Sequence, residues 1–368
     1  MSFFDEQNFL CTRVQDNYKE ILADHLPAAA VDFISRHVNL SDTQDTVLLE
    51  TGSPLNFSHI HSDSNPLGPE VGGIINIKKV NDAKYINKLF EATNLKLNYG
   101  GIYIGRAETS KARRSRIIKK FIFPFNYIYY CLDFLLKRIF PKVPILKKIY
   151  FLITNGRNRV LSEIEIYGRL NCCGFSVLES TVINNLLYFV AEKIKEPAYD
   201  HHATYGPLIK LNRIGRGGKI IKVYKLRTMF AYSEYLQEII YKQNSLDEGG
   251  KFKNDPRIST IGIFLRKCWL DELPMVYNMI KGEVKIVGVR PLSKHYYGLY
   301  PDSLQQLRIQ TKPGLIPPFY ADMPKTLDEI VISEERYLQE YLKKPMRTDM
   351  KYFYKAMYNI LIKKARSK

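Results

Sequence analysis

The chain has 368 residues, 45% of them hydrophobic and 25% charged, which is long enough for two domains with their own cores and excludes disorder as a global state. Fifty-five Lys and Arg against 37 Asp and Glu leave a net charge of +18, pointing to a polyanionic partner: nucleic acid, an anionic membrane surface or phosphorylated substrates. The five cysteines, Cys11, Cys131, Cys172, Cys173 and Cys268, are odd in number and lack metal-ligand spacing, which suits a reducing compartment. Cys172-Cys173 reads as buried thiols rather than a redox pair. The start, MSFFDEQNFL, lacks the basic-then-apolar order of a secretory signal, so the chain is expected on the cytoplasmic side of the membrane.

Asn17 to His25 and Ala28 to His37 have helical spacing and are separated by Leu26-Pro27; strand-like runs follow at Thr46 to Glu50 and Gly73 to Ile77. A helix with apolar residues at Ile86, Leu89 and Phe90 leads to a strand at Gly101 to Gly105. Ile164 to Asn171 leads into Gly174 to Leu178, and Leu186 to Ala191 reads as a last strand. Strands alternating with helices predict a parallel sheet. His59, His61 and Asp63, and the pair His201-His202, sit in a loop and a linker without a second ligand group, so solvation is expected there rather than metal.

Between residues 111 and 160, 13 Lys and Arg stand against one acidic residue, Asp133, a net +12 of the chain's +18. Aromatic and aliphatic residues from Phe121 to Phe140 interleave with these charges. The longest uncharged run, Phe121 to Leu132, falls well short of the roughly 20 residues that span a bilayer. An in-plane or shallowly inserted helix pair, broken at Pro124, Pro141 and Pro144, is the expectation, with lysines toward anionic lipid. The competing reading is a helical insertion packed on the protein's own core. No nucleic-acid recognition motif accompanies the patch, so nucleic acid is not an expected partner.

The densest chemistry lies between Lys251 and Leu292. Asp271 and Glu272 stand between an apolar, basic segment, Ile261 to Lys267, and a run with helical spacing at Leu273, Val276, Tyr277 and Ile280. The pair is expected to open a helix, with Pro274 in its first turn. Taken alone, carboxylates at a helix start are caps. Arg257, Arg266 and Arg290 alter that reading, because guanidinium forks match phosphate oxygens. Two carboxylates among such arginines suggest Mg²⁺-dependent chemistry on a phosphate. Farther on, Ser303 to Gln310, Ser333 to Leu342 and Met350 to Lys364 read as helices; the last is basic and amphipathic, and either packs on the core or rests on a membrane.

The order of these pieces resembles the bacterial sugar transferase family, the monotopic polyprenyl-phosphate phosphoglycosyl transferases. The matching segments are Asn212 to Lys219, Val223 to Met229, Asp255 to Ile258, Phe264 to Arg266, Leu270 to Pro274, Asn278, Lys281-Gly282, Val287 to Pro291 and Lys312 to Leu315. The resemblance covers about 160 residues, from Tyr205 to the C-terminus. It implies a nucleotide diphospho-sugar, such as a UDP-sugar, and polyprenyl phosphate as substrates. Asp271 would attack the β-phosphate and hold the phospho-sugar covalently, with Glu272 helping Asp271 to hold Mg²⁺. Lys225, Arg227 and Arg266 match positions close to the nucleophile. Arg290, with Pro291, matches a turn that contacts substrate phosphate; Arg257 and Lys312 complete the expected substrate contacts. The resemblance also implies the cytoplasmic face of a bacterial inner membrane, the start of exopolysaccharide, capsule or O-antigen type synthesis, and a homodimer as one oligomeric option. The alternative is a catalytically inactive, membrane-bound scaffold or a nucleotide-sugar- or lipid-binding protein of a glycan assembly pathway.

The sequence departs from the family in three places. Val289 stands where proline is usual, and Ile316-Pro317-Pro318-Phe319 replaces a Thr-Gly-Trp run. Upstream, the usual apolar re-entrant helix is missing before Tyr205-Gly206-Pro207, so residues 117–153 are expected to supply the membrane contact. Residues 1–200 are similar, more weakly, to the back half of a class I methyltransferase. Thr51 to Leu55 has one glycine and a proline where that fold carries a glycine-rich cofactor turn, so a scaffold is expected rather than a working cofactor site. The expected architecture is therefore α/β. It has a Rossmann-like domain over 1–200, carrying the membrane-docking insertion at 111–160, and a mixed α/β catalytic domain over 203–368 with membrane-surface helices.

Overall fold

The computed structural model describes residues 11–12, 18–40, 45–59, 71–200, 205–237, 239–240, 246–247, 251–252 and 255–363. His61, Asp63 and His201-His202 lie outside them. The chain divides into two compact units, one of residues 1–205 with 231–237 and the other of 206–230 with 238–368.

The first unit is built on a six-stranded sheet in the order β1-β2-β3-β4-β6-β5. The strands are β1 (Cys11–Thr12), β2 (Thr46–Leu49), β3 (Val71–Lys79), β4 (Leu97–Ala107), β5 (Phe175–Ile183) and β6 (Leu186–Lys193). β2, β3 and β4 run parallel. The expectation of a wholly parallel sheet fails beyond β4, because β5 and β6 form a hairpin across Asn184-Asn185, both at positive φ. A two-residue turn of that kind returns the chain antiparallel with no room for a crossover helix.

Alternation along the strands sends side chains to opposite faces. Val47, Leu49, Ile74, Tyr103 and Phe189 enter one core, closed by α3 (Ile86–Lys96) and α7 (Glu163–Cys172) through Leu89, Phe90, Ile166 and Leu170. Leu48, Ile75, Ile77, Ile104 and Val190 enter the other, closed by α1 (Tyr18–His25) and α2 (Ala28–Ser35). Cys172 and Cys173 are buried free thiols at the end of α7.

The insertion is three helices rather than a pair: α4 (Ser110–Lys120), α5 (Phe125–Phe134), continued by a π-helical turn at Leu135–Ile139, and α6 (Pro144–Thr154). Two anchors hold it. Arg113 of α4 bridges Glu108 (2.9 Å) and Asp133 (2.7 Å). Glu165 of α7, fully buried, gathers Lys142 (2.9 Å), Arg169 (3.0 Å) and Arg138 (3.6 Å). Burial alone would raise the Glu165 pKa, but these cations outweigh it and hold the carboxyl well below the usual range, while burial pushes Lys142 down to about 8.

In the second unit, β7 (Leu208–Ile214) and β8 (Ile220–Leu226) form an antiparallel hairpin. Its turn uses Gly217 and Gly218 at positive φ, a conformation glycine adopts without strain. A short pair, β9 (Leu246–Asp247) and β10 (Lys251–Phe252), precedes α8 (Thr260–Lys267) and α9 (Met275–Ile280). β11 (Lys285–Val287) and β12 (Gly314–Ile316) pair in parallel. Helices α10 (Asp302–Ile309), α11 (Leu327–Lys343) and α12 (Pro345–Leu361) close a core around Val287, Val289, Leu304, Tyr337 and Tyr352. α11 begins well before the expected Ser333, because Thr326 caps it by accepting from the Glu329 N–H. α12 packs Tyr352 and Ala356 into this core, while Met346, Met350, Tyr354 and Tyr358 of the same helix remain exposed.

Candidate active site

Asp271 and Glu272 lie in a single 3₁₀ turn, Leu270–Glu272, rather than in the first turn of the helix that follows. α9 starts only at Met275, with Pro274 at its N-cap. The reason sits at Trp269, whose φ of 62° breaks the chain between α8 and the turn. Its indole packs on Tyr320, 4.5 Å between ring centroids. Tyr320 belongs to the single-turn helix Phe319–Asp322, set up by the atypical Pro317-Pro318-Phe319 run.

Lys225, near the end of β8, donates from Nζ to Glu272 Oε1 at 2.5 Å. Asn278 fixes β8 against α9: it donates to the Lys222 carbonyl (2.8 Å) and to Glu283 (2.6 Å), and accepts from the Tyr224 N–H (3.1 Å). Arg266, on the last turn of α8, donates from Nε to Thr228 Oγ1 at 3.0 Å. α8 is held there because Ser259 caps it, accepting from the Gly262 N–H, while its own N–H donates to the Thr228 carbonyl (3.0 Å). Gly262 packs so closely on the Thr228 carbonyl that a Cβ would collide with it.

The electrostatics follow from this packing. Burial, then the neighbouring Glu272 charge, raises the Asp271 pKa, while Lys225 and Arg266 pull it back. Burial lowers Lys225, which Glu272 counteracts. Burial also lowers Arg266, and the charges of Asp271 and Asp255 oppose this. Two half-buried carboxylates side by side, faced by cations, fit a divalent cation shared with phosphate oxygens. No cluster of three or more His, Cys, Asp or Glu suited to a metal occurs among the described residues, so substrate and water would complete such a shell.

Other expected residues take different positions. Arg257 is buried and bidentate to Asp255 within one turn, with contacts of 2.7 to 3.1 Å. Arg227 donates from Nε to the Gly206 carbonyl at 2.8 Å. Lys312 Nζ lies against the Gly282 turn. Arg290 is exposed, and its carbonyl accepts from Arg308, which forms a buried ion pair with Glu334. Pro291 beside it is buried. The positive charge of Arg290 acts on Lys225, Arg266 and Arg213. Val289, where proline was expected, fills the core, and its carbonyl accepts from the Gly314 N–H (2.9 Å). Sequence reasoning gave Arg213, Thr228 and Asn278 no role. All three fall inside matched segments, so the signal was present, but only the fold assigns their contacts.

The profile of the family described as Bacterial sugar transferase matches residues 177–363. The chain therefore belongs to the bacterial sugar transferase family. The match begins within β5, upstream of the Tyr205 start read from the motifs. Among relatives, the galactosyl transferase CpsE of Streptococcus agalactiae serotype III (strain NEM316) is 37% identical over 142 residues, 37% of this chain and 31% of that protein. The undecaprenyl-phosphate galactose phosphotransferase of Salmonella typhimurium (strain LT2) is 38% identical over 108 residues, 28% and 22% of the two chains. The UDP-glucose:undecaprenyl-phosphate glucose-1-phosphate transferase of Klebsiella pneumoniae is 32% identical over 153 residues, 41% and 30%. The chain spans about a third or less of the length of these relatives. They are named as sugar or sugar-phosphate transferases, two of them acting on undecaprenyl phosphate.

Proposed function

We propose that the protein is a phosphoglycosyl transferase that moves a sugar phosphate from a nucleotide diphospho-sugar to a polyprenyl phosphate, initiating synthesis of a bacterial surface polysaccharide. The observation that carries this reading is the group formed by Asp271, Glu272, Lys225 and Arg266 inside the family-matched region, held by Asn278 and Thr228. An Asp271 carboxylate oxygen attacks the β-phosphorus. The bond from that phosphorus to the bridging oxygen breaks, and a nucleoside monophosphate leaves. An oxygen of polyprenyl phosphate then attacks the same phosphorus and returns the carboxylate. Dividing the displacement in this way lowers the cost of bringing two anions together. Lys225 holds Glu272 in place through their 2.5 Å contact; Arg266 and Arg290 offer positive charge to the phosphates. Mg²⁺, held by Asp271 and Glu272, would supply further charge neutralisation.

Residues 1–200 are read as a Rossmann-like scaffold. In support, the Thr51 N–H and carbonyl after β2 are both taken by the Asn76 side chain (3.2 and 2.9 Å), leaving that turn no free backbone amide at Thr51 for a cofactor phosphate. Its insertion is read as docking on the cytoplasmic leaflet: Ile122, Phe123, Phe125, Ile145, Leu152 and Ile153 are exposed amid the basic residues. No helix among the described residues is long and apolar enough to cross a membrane.

The test is the co-product. Incubation with UDP-glucose or UDP-galactose and a polyprenyl phosphate should release UMP together with lipid-linked sugar, and Asp271→Asn should release none. UDP as the sole nucleotide product would mean glycosyl rather than phosphoglycosyl transfer, and would end this reading.

A further inference from the structure

The insertion of the first unit holds a cavity that the proposed reaction does not use. It measures about 180 Å³ and lies in the groove between α4 and α5. Its floor is the Arg113–Asp133 ion pair, and its mouth is Lys120 with Phe121 and Tyr129, whose ring centroids are 4.8 Å apart. Arg116 and Lys137 line the sides.

The acids here are already engaged. Arg113 grips both Asp133 oxygens, Lys137 approaches one of them at 3.4 Å, and Glu108 is shared by Arg113 and Arg116. Burial works against ionised Asp133, but Arg113 and Lys137 outweigh it and hold its pKa below the ordinary range. Four cations therefore meet two carboxylates. Lys120 forms no ion pair among the described residues and lies over the Phe121 ring at 5.7 Å. The excess charge is unmatched, which is the condition of a site prepared for an anion.

Beside the mouth, Ile122, Phe123 and Phe125 are 83%, 75% and 69% exposed. A free phosphate would make no use of them, whereas a phosphate joined to acyl chains brings apolar surface to that place. We propose that the cavity takes the phosphate of an anionic phospholipid headgroup, with Lys120 and Lys137 as its selective contacts and the Ile122-Phe123 tip among the acyl chains. The inference rests on the reading that the insertion docks on a membrane. It makes docking selective for lipid chemistry rather than dependent on charge spread over the whole insertion.

The test is flotation of the full-length protein with vesicles of phosphatidylcholine, alone or with phosphatidylglycerol. The intact chain should bind the mixed vesicles at least roughly ten-fold more tightly, the scale set by two lysines at a headgroup. Lys120→Gln/Lys137→Gln should erase most of that preference, and Lys120→Gln alone, an exposed position, should lose part of it without disturbing the fold. The charge-matched control Lys119→Gln/Lys148→Gln, exposed but outside the cavity, should lose only a few-fold. Equal losses in the two pairs would mean diffuse attraction, overturning the cavity proposal while membrane docking stands. No binding of the intact chain to either vesicle would overturn both. Inorganic phosphate at fixed ionic strength, which presents the same group without acyl chains, should compete only in large excess over phosphatidylglycerol; displacement at equal concentration would make this a free-anion site and overturn the lipid assignment.

Discussion

Asp271 is proposed to act as a carboxylate whose ionisation its surroundings resist. Burial and the Glu272 charge raise its pKa, so activity is lost, as pH falls, at a higher pH than an ordinary Asp would give. Lys225 works in the opposite sense. Lys225→Met should therefore move the acid limb of kcat/KM to still higher pH, and Glu272→Gln should move it lower in whatever activity remains; a pH–rate profile of each variant checks both signs. Asp271→Asn should cost a thousand-fold or more, about 4 kcal/mol of barrier. Glu165 is a second residue with a definite sign. Its depressed pKa stabilises the fold above its unfolded value, near 4.5, and that contribution is lost as pH falls toward the folded value. Glu165→Gln removes the buried carboxylate that Lys142 and Arg169 share. A loss of about 3–5 kcal/mol in denaturant unfolding is expected.

At the scale of elements, the site depends on how closely α8 lies on the segment after β8. A Cβ at Gly262 meets the Thr228 carbonyl, a backbone atom that cannot yield without moving the strand end. Gly262→Ala should shift α8, weaken the Arg266–Thr228 bond and destabilise the protein by about 1–3 kcal/mol. A thermal melt together with kcat reads both effects, and a variant unchanged in each would contradict the packing. Much of the element pattern was legible in the sequence. Leu89, Phe90 and the Val47-Leu48-Leu49 run announced a buried α/β sheet, because strands covered on both faces are apolar throughout. One feature that escaped was set by a partner distant in sequence. Trp269 adopts φ 62° against Tyr320, and this moved the Asp-Glu pair out of the helix and into a turn of its own. Arg257, expected to contact substrate phosphate, is held by Asp255 two residues away, a local pairing that the sequence reading did not foresee. The hairpin of β5 and β6 was visible in Asn184-Asn185, a pair that tolerates positive φ, yet alternation of helix and strand suggested a parallel continuation.

At the scale of the whole molecule, two jobs are proposed for separate units: transfer at the phosphates for the unit that carries Asp271, and docking at the lipid surface for the insertion of the other. Ile122→Ser/Phe123→Ser/Phe125→Ser should abolish flotation with vesicles, since each of these side chains would otherwise bury apolar area worth up to about 1.5–3 kcal/mol. The same variant should still react with the soluble sugar donor, because Asp271 and its neighbours are untouched. The most direct test of the central claim isolates that first half-reaction. The detergent-solubilised protein is incubated with Mg²⁺ and a panel of UDP-sugars, without lipid acceptor, and its intact mass is measured beside Asp271→Asn. The account predicts a gain of one phospho-sugar on the native chain with the matching donor and none on the variant. An unmodified mass with every donor, from protein that still transfers sugar phosphate once polyprenyl phosphate is added, would contradict it.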